Sequence, residues 1–570
     1  MKGRVKYTRN PRIDNDPIDN FRDSMSRLVQ KLPSDHAIYL YTKHRTDYSL
    51  TYRQFYENVR AFGTALHLEG LDGKPVAIVT EPDPCFMTAY YAVIATGGVI
   101  VPLDRDVSDE EIVNFMKLAE VRAVIVGESQ NARMKKLSKD LPDVARFICA
   151  YPEEEMPERF VRMEDLIAEG KKELENGSTY YDDVPQDLEK CCAIIFTSGT
   201  TGTSKGVMLS QKNLITSAMD SANVIDQLDE HTVLLSVLPM HHTYEVTTTH
   251  LTGQFYGATI AINDSVKYVS RNIKKYRPTY LVLVPLYVET MHKKIWEEIR
   301  KKGLEKKVRR MMKVSDALLN VGVDLRRKFF DSIRQFFGGR LDAIVCGGAK
   351  LNPQCIRDFI SFGIEVQEGY GITECSPLLA ANPINANRIG SVGPPVRSVT
   401  VRIDKDHPED ETGEIVAKGD NVMLGYYRNE EATAEAFTAD GWFRTGDIGY
   451  LDKDGYIYIT GRKKNVIILS NGKNVFPEEL EEHLSSCPLF LESAVVGRAQ
   501  DGGEPVITAV VYPDYSKLEG KTDAEIEEIL REELNAVNRT LPQYKQMRGL
   551  EVRKTEFEKT TSRKIKRHKI

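Results

Sequence analysis

Short, unbroken apolar runs punctuate the first half of the chain: Pro75-Val-Ala-Ile-Val79, Val99-Ile-Val-Pro-Leu103, Ala123-Val-Ile-Val126 and Ala193-Ile-Ile-Phe196. Each is too short for a helix and lacks the alternation of a half-exposed strand. Each is therefore predicted as a strand buried on both faces. Between them apolar residues recur at helical spacing, as around Met87 to Ala95, and Ser108-Asp-Glu-Glu111 has the capping-box form that opens a helix. Strand–helix alternation of this kind predicts an α/β fold with doubly wound sheets. From about Ser398 the texture changes to shorter strands and Gly- and Asp-rich turns, such as Asp452-Lys-Asp-Gly455 before Tyr456-Ile-Tyr-Ile459. That pattern predicts an antiparallel β subdomain. A small α+β unit closes the chain, so the expected division is a large N-terminal domain over 1–463 and a small C-terminal domain over 464–570.

Two segments qualify this picture. Residues 85–103 carry no charge and are long enough to span a bilayer. Gly97-Gly98 and Pro102 divide them into a helix-length and a strand-length piece, so a buried helix–turn–strand is expected and no transmembrane segment. Residues 291–340 hold 15 Lys or Arg against 6 Asp or Glu, with apolar residues at helical spacing. Amphipathic helices packed on the domain are the first reading, and contact with a membrane surface is the second. The whole chain, at −6, has no general attraction to nucleic acid. Its 8 scattered cysteines build no disulfide framework, and no apolar run follows the basic N-terminus as in a signal peptide. A reducing, cytoplasmic location is expected, with peripheral contact at the inner membrane surface as the variant.

The strongest chemical signal follows the apolar run at 193–196. Thr197-Ser-Gly-Thr-Thr-Gly-Thr-Ser-Lys-Gly206 concentrates hydroxyls, glycines and a lysine directly behind a buried strand. Gly199 and Gly202 free the backbone to curve round a polyanion with its N–H groups turned inward. Thr197, Ser198, Thr200 and Thr201 add hydroxyl donors, and Lys205 adds a positive charge. This is a phosphate loop but not a Walker A loop, which has glycine where this chain has Ser204. Further along come Leu238-Pro-Met-His-His-Thr-Tyr-Glu245, Gly347-Gly-Ala-Lys-Leu351, Glu368-Gly-Tyr-Gly-Ile-Thr-Glu374, Gly441-Trp-Phe-Arg-Thr-Gly-Asp447, Gly461-Arg-Lys-Lys464 and Lys559-Thr-Thr-Ser-Arg-Lys-Ile-Lys-Arg567. Taken singly, most would pass for turns, and the last for a basic tail.

In this order, over residues 50–567, the segments resemble the motifs of the acyl-adenylate-forming enzymes: acyl-CoA synthetases, luciferases and peptide-synthetase adenylation domains. Two positions depart from the family pattern, Ser204 for the usual proline and Arg563 for the usual glycine. The resemblance implies that Thr197, Ser198, Gly199, Thr200, Thr201, Gly202 and Lys205 bind the phosphates of ATP. Gly348, Ala349 and Lys350 would line the adenine, with Tyr370 stacked on it between Gly369 and Gly371. Thr373 would offer its hydroxyl to the α-phosphate, and Glu374 a hard oxygen to Mg²⁺. Asp447 can accept from both ribose hydroxyls and Arg462 would be their second contact. His242 and Tyr244 would lie near the carboxylate and the mouth of the acyl channel. Lys564 takes the catalytic lysine's place, with Lys559 and Lys566 as neighbours one register slip away. Lys464 takes the hinge, which makes the C-terminal domain a mobile one.

The Leu-Pro-x-His-His-Thr-aromatic-Glu form, the apolar stretch Tyr280-Leu-Val-Leu-Val-Pro-Leu286 and the basic insert look like the long-chain fatty-acyl members. The implied reaction converts a long-chain fatty acid and ATP to acyl-AMP and pyrophosphate, then transfers the acyl group to coenzyme A. An acyl-carrier-protein ligase and a coenzyme A ligase for an aromatic or short-chain acid are the alternatives. A nucleotide-binding protein without catalysis has no use for a transition-state lysine. The implied partners are the fatty acid, ATP, coenzyme A and Mg²⁺, and a homodimer is compatible with them.

Overall fold

The structure, a computed structural model, describes residues 18–153, 155–197, 204–225, 228–469, 474–485, 487–498, 505–559 and 565–570. It divides into two compact units, one of Met1–Thr400 with Lys418–Gly441, the other of Val401–Ala417 with Trp442–Ile570.

Among the described residues the first unit holds two eight-stranded sheets. One runs, edge to edge, Leu378–Ala381, Glu365–Gly371, Ala343–Cys346, Tyr280–Leu283, Val233–Ser236, Thr259–Ile262, Ala37–Lys43 and Thr46–Thr51. Its inner pairs are parallel and both edge strands are antiparallel. The other runs Gly425–Tyr426, Lys205–Ser210, Cys191–Thr197, Val99–Pro102, Pro75–Val79, Ala123–Val126, Arg146–Cys149 and Phe160–Arg162. It is parallel from Cys191–Thr197 onward and antiparallel on the side of Lys205–Ser210. Both are mixed sheets of an α/β fold, and the four apolar runs at 75–79, 99–103, 123–126 and 193–196 all become strands of the second.

Local chemistry sets the elements. Ser108 and Glu111 close their capping box at the head of Asp109–Leu118. The charge-free stretch forms the helix Pro84–Ala95, started by the Asp83 side chain on the Cys85 N–H, then turns at Gly97, whose φ is +75°, into Val99–Pro102. That helix is buried nearly all round, so its hydrophobicity belongs to the core. Among the described residues no helix is long and apolar enough to cross a membrane.

The basic segment packs as amphipathic helices. Ile295, Ile299, Phe330, Ile333 and Phe337 enter the core of the first sheet, and Val308, Met311, Met312, Phe329 and Phe336 lie partly buried against it. The apolar run at 280–286 is the buried strand Tyr280–Leu283 followed by the start of Pro285–Lys301. Sheet burial accounts for its composition, so it carries no information about an acyl chain.

In the second unit, Phe443–Leu451 pairs antiparallel with both Gly413–Gly419 and Ile457–Arg462. Gly455, at φ +88°, closes the turn that the Asp-Gly pattern predicts. Beyond Lys464, the strands Phe490–Arg498, Val506–Pro513 and Gly549–Val552 form a sheet covered by Pro477–Ser485 and Asp523–Asn538. Leu480, Leu484, Ile526, Leu530 and Leu534 pack there against Val495, Ala509 and Val511.

The helices Tyr52–Leu68 and Met163–Glu175 approach so closely that a Cβ on Gly170 would lie 1.9 Å from the Ala61 carbonyl oxygen. Gly170→Ala should therefore destabilise the protein by roughly 1–3 kcal/mol through overpacking. A denaturant midpoint unchanged from wild type would show that the helix pair yields freely.

Candidate active site

The parallel strands of the first sheet end at one edge, where a doubly wound sheet gathers its ligands. At that edge Ala343–Cys346 leads into Gly347-Gly348, with Gly348 at φ +87° and Gly348, Ala349 and Lys350 exposed. Glu365–Gly371 leads into the short turn Thr373–Cys375. A Cβ on Gly371 would lie 2.0 Å from the Pro377 carbonyl oxygen, so the turn folds back only over glycine. Thr373 and Glu374 sit on that turn, half-buried. Tyr370, the expected stacking ring, keeps 7% of its surface open, so a base would meet only that strip.

From the second sheet comes Lys205, paired across the ladder with Thr197, whose hydroxyl donates to the Lys205 carbonyl at 3.5 Å. Ser198, Gly199, Thr200, Thr201 and Gly202 lie outside the described residues. The short strand Gly425–Tyr426 runs beside Lys205–Ser210 and brings a residue that sequence reasoning missed. The Tyr426 hydroxyl donates to Glu374 Oε1 at 2.9 Å, and Lys205 Nζ lies 4.8 Å from the centre of its ring. Burial, then the Glu374 charge, raises the Tyr426 pKa, so the phenol remains a donor. Two asparagines brace the arrangement. Asn421 donates to the carbonyls of Cys375 and Leu378, and Asn213 to those of Asp420 and Val422. The only sequence signal for Tyr426 was an aromatic after Gly425, a residue at φ +140°.

The histidine segment meets the same edge. Thr243 Oγ1 lies 3.4 Å from Thr373 Oγ1. Tyr244 does not simply line a channel: its hydroxyl donates to the carbonyls of Leu283 and Val345 at 3.2 and 3.4 Å, beneath the Gly347 turn. His242 begins the helical turn Thr243–Glu245, its ring 4.2 Å from that of His241. His241 Nε2 lies 3.7 Å from Asp104 Oδ2, and burial, then His242 and Arg105, lowers the His241 pKa.

Behind these residues lies a buried polar network on the π-helix Val246–Leu251, a geometry that recurs at functional sites. Gln254 donates to the Tyr39 hydroxyl, which bonds His250 Nδ1 at 3.1 Å, and His250 Nε2 bonds Ser236 Oγ at 3.0 Å. The Glu245 carboxyl accepts from the Thr249 hydroxyl at 3.3 Å, and its Oε1 lies 3.9 Å from His250 Nε2. Burial nevertheless pushes its pKa up to about 8, and pushes that of His250 down to about 3, so both are neutral at pH 7.

In the second unit Asp447 and Arg462 face each other on adjacent strands, Arg462 Nε 2.7 Å from Asp447 Oδ1. The Gly441–Asp447 turn is held by Glu414, buried, which accepts from Arg444, Lys463 and the Gly446 N–H. Sequence reasoning gave Glu414 no role. Lys464 sits in the turn Lys463–Asn465, and burial, then Arg462 and Arg567, lowers its pKa. Asn465 beside it donates to Glu478 at 2.6 Å.

Lys564 and Arg563 lie outside the described residues, but their flanks are fixed. Lys559 bridges Ile565, the Lys566 N–H donates to the Glu558 carbonyl, and Arg567 grips Glu481 and the Val495 carbonyl. Lys559 pairs with Glu492 and Glu556 and is mostly buried, which makes it a strut of this closure.

A phosphate-loop strand pair, glycine turns at the edge of a parallel sheet and a separate unit with its own carboxylate–guanidinium pair define a member of the acyl-adenylate-forming superfamily. The chain belongs to the AMP-binding enzyme family, whose profile matches residues 26–427, and the AMP-binding enzyme C-terminal domain profile matches 464–570. It is 29% identical to the long-chain-fatty-acid–CoA ligase FadD15 of Mycobacterium bovis, over 75% of this chain and 71% of that one. It is 29% identical to the 2-succinylbenzoate–CoA ligase of Bacillus cereus (82% and 85%). Identity is 25% to the long-chain-fatty-acid–[acyl-carrier-protein] ligase AEE15 of Arabidopsis thaliana (80% and 71%). Its fold is similar to that of the anthranilate CoA ligase AuaEII in complex with anthranoyl-AMP (TM-score 0.76, 20% identity, 96% of each chain). It is also similar to that of the Bacillus subtilis O-succinylbenzoate coenzyme A synthetase in complex with ATP and magnesium ion (TM-score 0.71, 21% identity, 96% and 98%).

The buried carboxyl makes a prediction about pH. The folded pKa of Glu245 lies above its ordinary value, so the stability it contributes is full at acid pH and is lost as pH rises toward about 8. Thermal unfolding of wild type and Glu245→Gln should therefore diverge with pH, the glutamine variant gaining on wild type between about 4.5 and about 8. A difference in Tm that stays flat across that window removes the buried-acid assignment.

Proposed function

We propose that the protein is an AMP-forming ligase that activates a long-chain fatty acid as acyl-AMP and passes the acyl group to coenzyme A. The observation that carries the reading is the line Lys205–Tyr426–Glu374, which sets a cation, a neutral donor and a carboxylate where Thr373 meets the histidine segment. Lys205 neutralises phosphate charge and Thr373 donates to the α-phosphate as the fatty-acid carboxylate attacks it. His242 and its neutral neighbour His241 face that carboxylate without adding a competing anion. The reaction's Mg²⁺ would be held by Glu374, whose hard oxygens suit the ion and whose orientation Tyr426 fixes. When bound it offsets charge on the phosphates.

Asp447 and Arg462 take the ribose, and Lys564 neutralises the charge that builds on the α-phosphate. Residues 464–570 turn about Lys464 after pyrophosphate leaves, since one face of the adenylate cannot serve the lysine and the thiol together. The long-chain assignment is supported by the histidine segment and by the similarity to FadD15. A ligase for an aromatic acid is the second reading, favoured by the similarity to the 2-succinylbenzoate enzyme and by the polar network behind the histidine segment. Similarity to AEE15 keeps a carrier-protein thiol as the competing acceptor.

Pyrophosphate exchange across a panel of acids separates these readings: palmitate should exceed benzoate and acetate in kcat/KM, and the reverse order would refute the chain-length assignment. Production of ADP in place of AMP would refute the adenylate itself.

Two substitutions locate the chemistry. Tyr426→Phe removes a hydrogen bond to a charged acceptor worth about 1.5–3 kcal/mol, so adenylation should slow about 10- to 100-fold. Lys564→Ala should abolish pyrophosphate exchange yet spare thioester formation from preformed acyl-AMP, whereas Lys559→Ala should lower Tm and leave the ratio of the half-reactions unchanged. If Lys559→Ala were the variant that lost exchange, the register of the closing segment would be wrong.

A further inference from the structure

The basic segment of the first unit is not spent by the fold. Its inward face packs on the first sheet, but its outward face combines two features that a merely solvated helix does not need together. Between Lys293 and Lys328 exposed basic side chains outnumber exposed acidic ones by twelve to three, in a chain whose net charge is −6. Among them stand aliphatic side chains open to solvent: Leu304 at 40%, Val314 at 48%, Val321 at 74% and Val323 at 44%. On the helix Glu305–Asn320 the exposed residues Lys307, Arg310, Val314 and Ala317, continued by Val321 beyond its end, follow a spacing of three and four. That spacing places cations and aliphatic groups along one stripe. Arg310, Met311, Val314 and Phe329 line a small groove beside it.

We propose that this stripe is a docking surface for an anionic lipid bilayer. Lysine and arginine stems lie along apolar surface and deliver their charges to headgroup phosphates, while valines enter the boundary with the acyl chains. Charge complementarity selects the occupant: this face is strongly basic in a chain whose net charge is −6, which suits it to a polyanionic surface. The aliphatic groups select bilayer over nucleic acid. Single strands are held by stacking on aromatic side chains, and the four most exposed apolar residues here are leucine and valine. No residue of the stripe takes part in the site described above, so the proposal stands apart from the identity of the acid.

The test is sedimentation of the full chain with phosphatidylglycerol–phosphatidylcholine vesicles and with pure phosphatidylcholine vesicles, at low and high salt. Binding should require the anionic lipid and weaken with salt. Each basic residue near such a surface contributes about fivefold, so the triple variant Lys307→Gln, Arg310→Gln, Lys313→Gln should bind about a hundredfold more weakly. Val314→Asp with Val321→Asp should also reduce binding, with Tm and activity on a soluble acid unchanged in both. These are exposed positions, so folding survives and loss of binding is interpretable. Equal affinity for neutral and anionic vesicles would overturn the proposal. So would full binding by the triple variant, or tighter binding to a single-stranded oligonucleotide that the same variant loses.

Discussion

Two sheets that share no strand are joined by one short segment, residues 420–426. Gly425–Tyr426 adds itself by main-chain pairing to the strand that begins with Lys205, while the Met423 N–H binds the Glu374 carbonyl at 2.8 Å. The Tyr426 hydroxyl completes the join on the Glu374 carboxylate. Because that carboxylate is held by a buried donor, it cannot turn freely toward solvent or toward Lys205. The asparagines at 213 and 421 hold the same segment through backbone carbonyls, bonds that no side-chain motion can relax. The Lys205 cation and the Glu374 carboxylate thus keep their spacing through the fold itself.

Burial and neutrality govern the histidine segment. A carboxylate substrate brought to this edge would be repelled by an ionised Glu245 and held too firmly by charged imidazoles. Burial keeps the glutamic acid protonated and His241 and His250 neutral, so the network offers hydrogen bonds without net charge. Its members are each buried from solvent and shared between the π-helix, the strand Val233–Ser236 and Tyr39. Such a network fixes the path of the histidine segment more sharply than apolar packing would, because each bond has a direction.

The closing segment of the second unit follows a related logic. Four elements clamp its two ends: Glu492 on Lys559, the Glu558 carbonyl on Lys566, and Glu481 with the Val495 carbonyl on Arg567. The Lys559 ammonium and the Arg567 guanidinium are therefore engaged as struts.

Much of this was legible in the amino-acid order. Continuous apolar runs, a capping box and Asp-Gly turns determine their elements within a few residues, because the forces involved are local. Motif residues such as Lys205, Thr373, Glu374 and Asp447 were legible too, since their chemistry and neighbours travel together along the chain. Other residues acquire meaning only from distant partners. Tyr426 lies 52 positions from Glu374 and Glu414 lies 30 from Arg444, so no spacing rule connects them. The run at 280–286 resembled a lipid-binding feature until sheet topology made it a central strand. The sequence by itself determined the strands, the helices and the reactive groups; only the tertiary structure decided which polar groups are buried against each other, because burial, and with it protonation and orientation, depends on contacts between residues far apart in the chain.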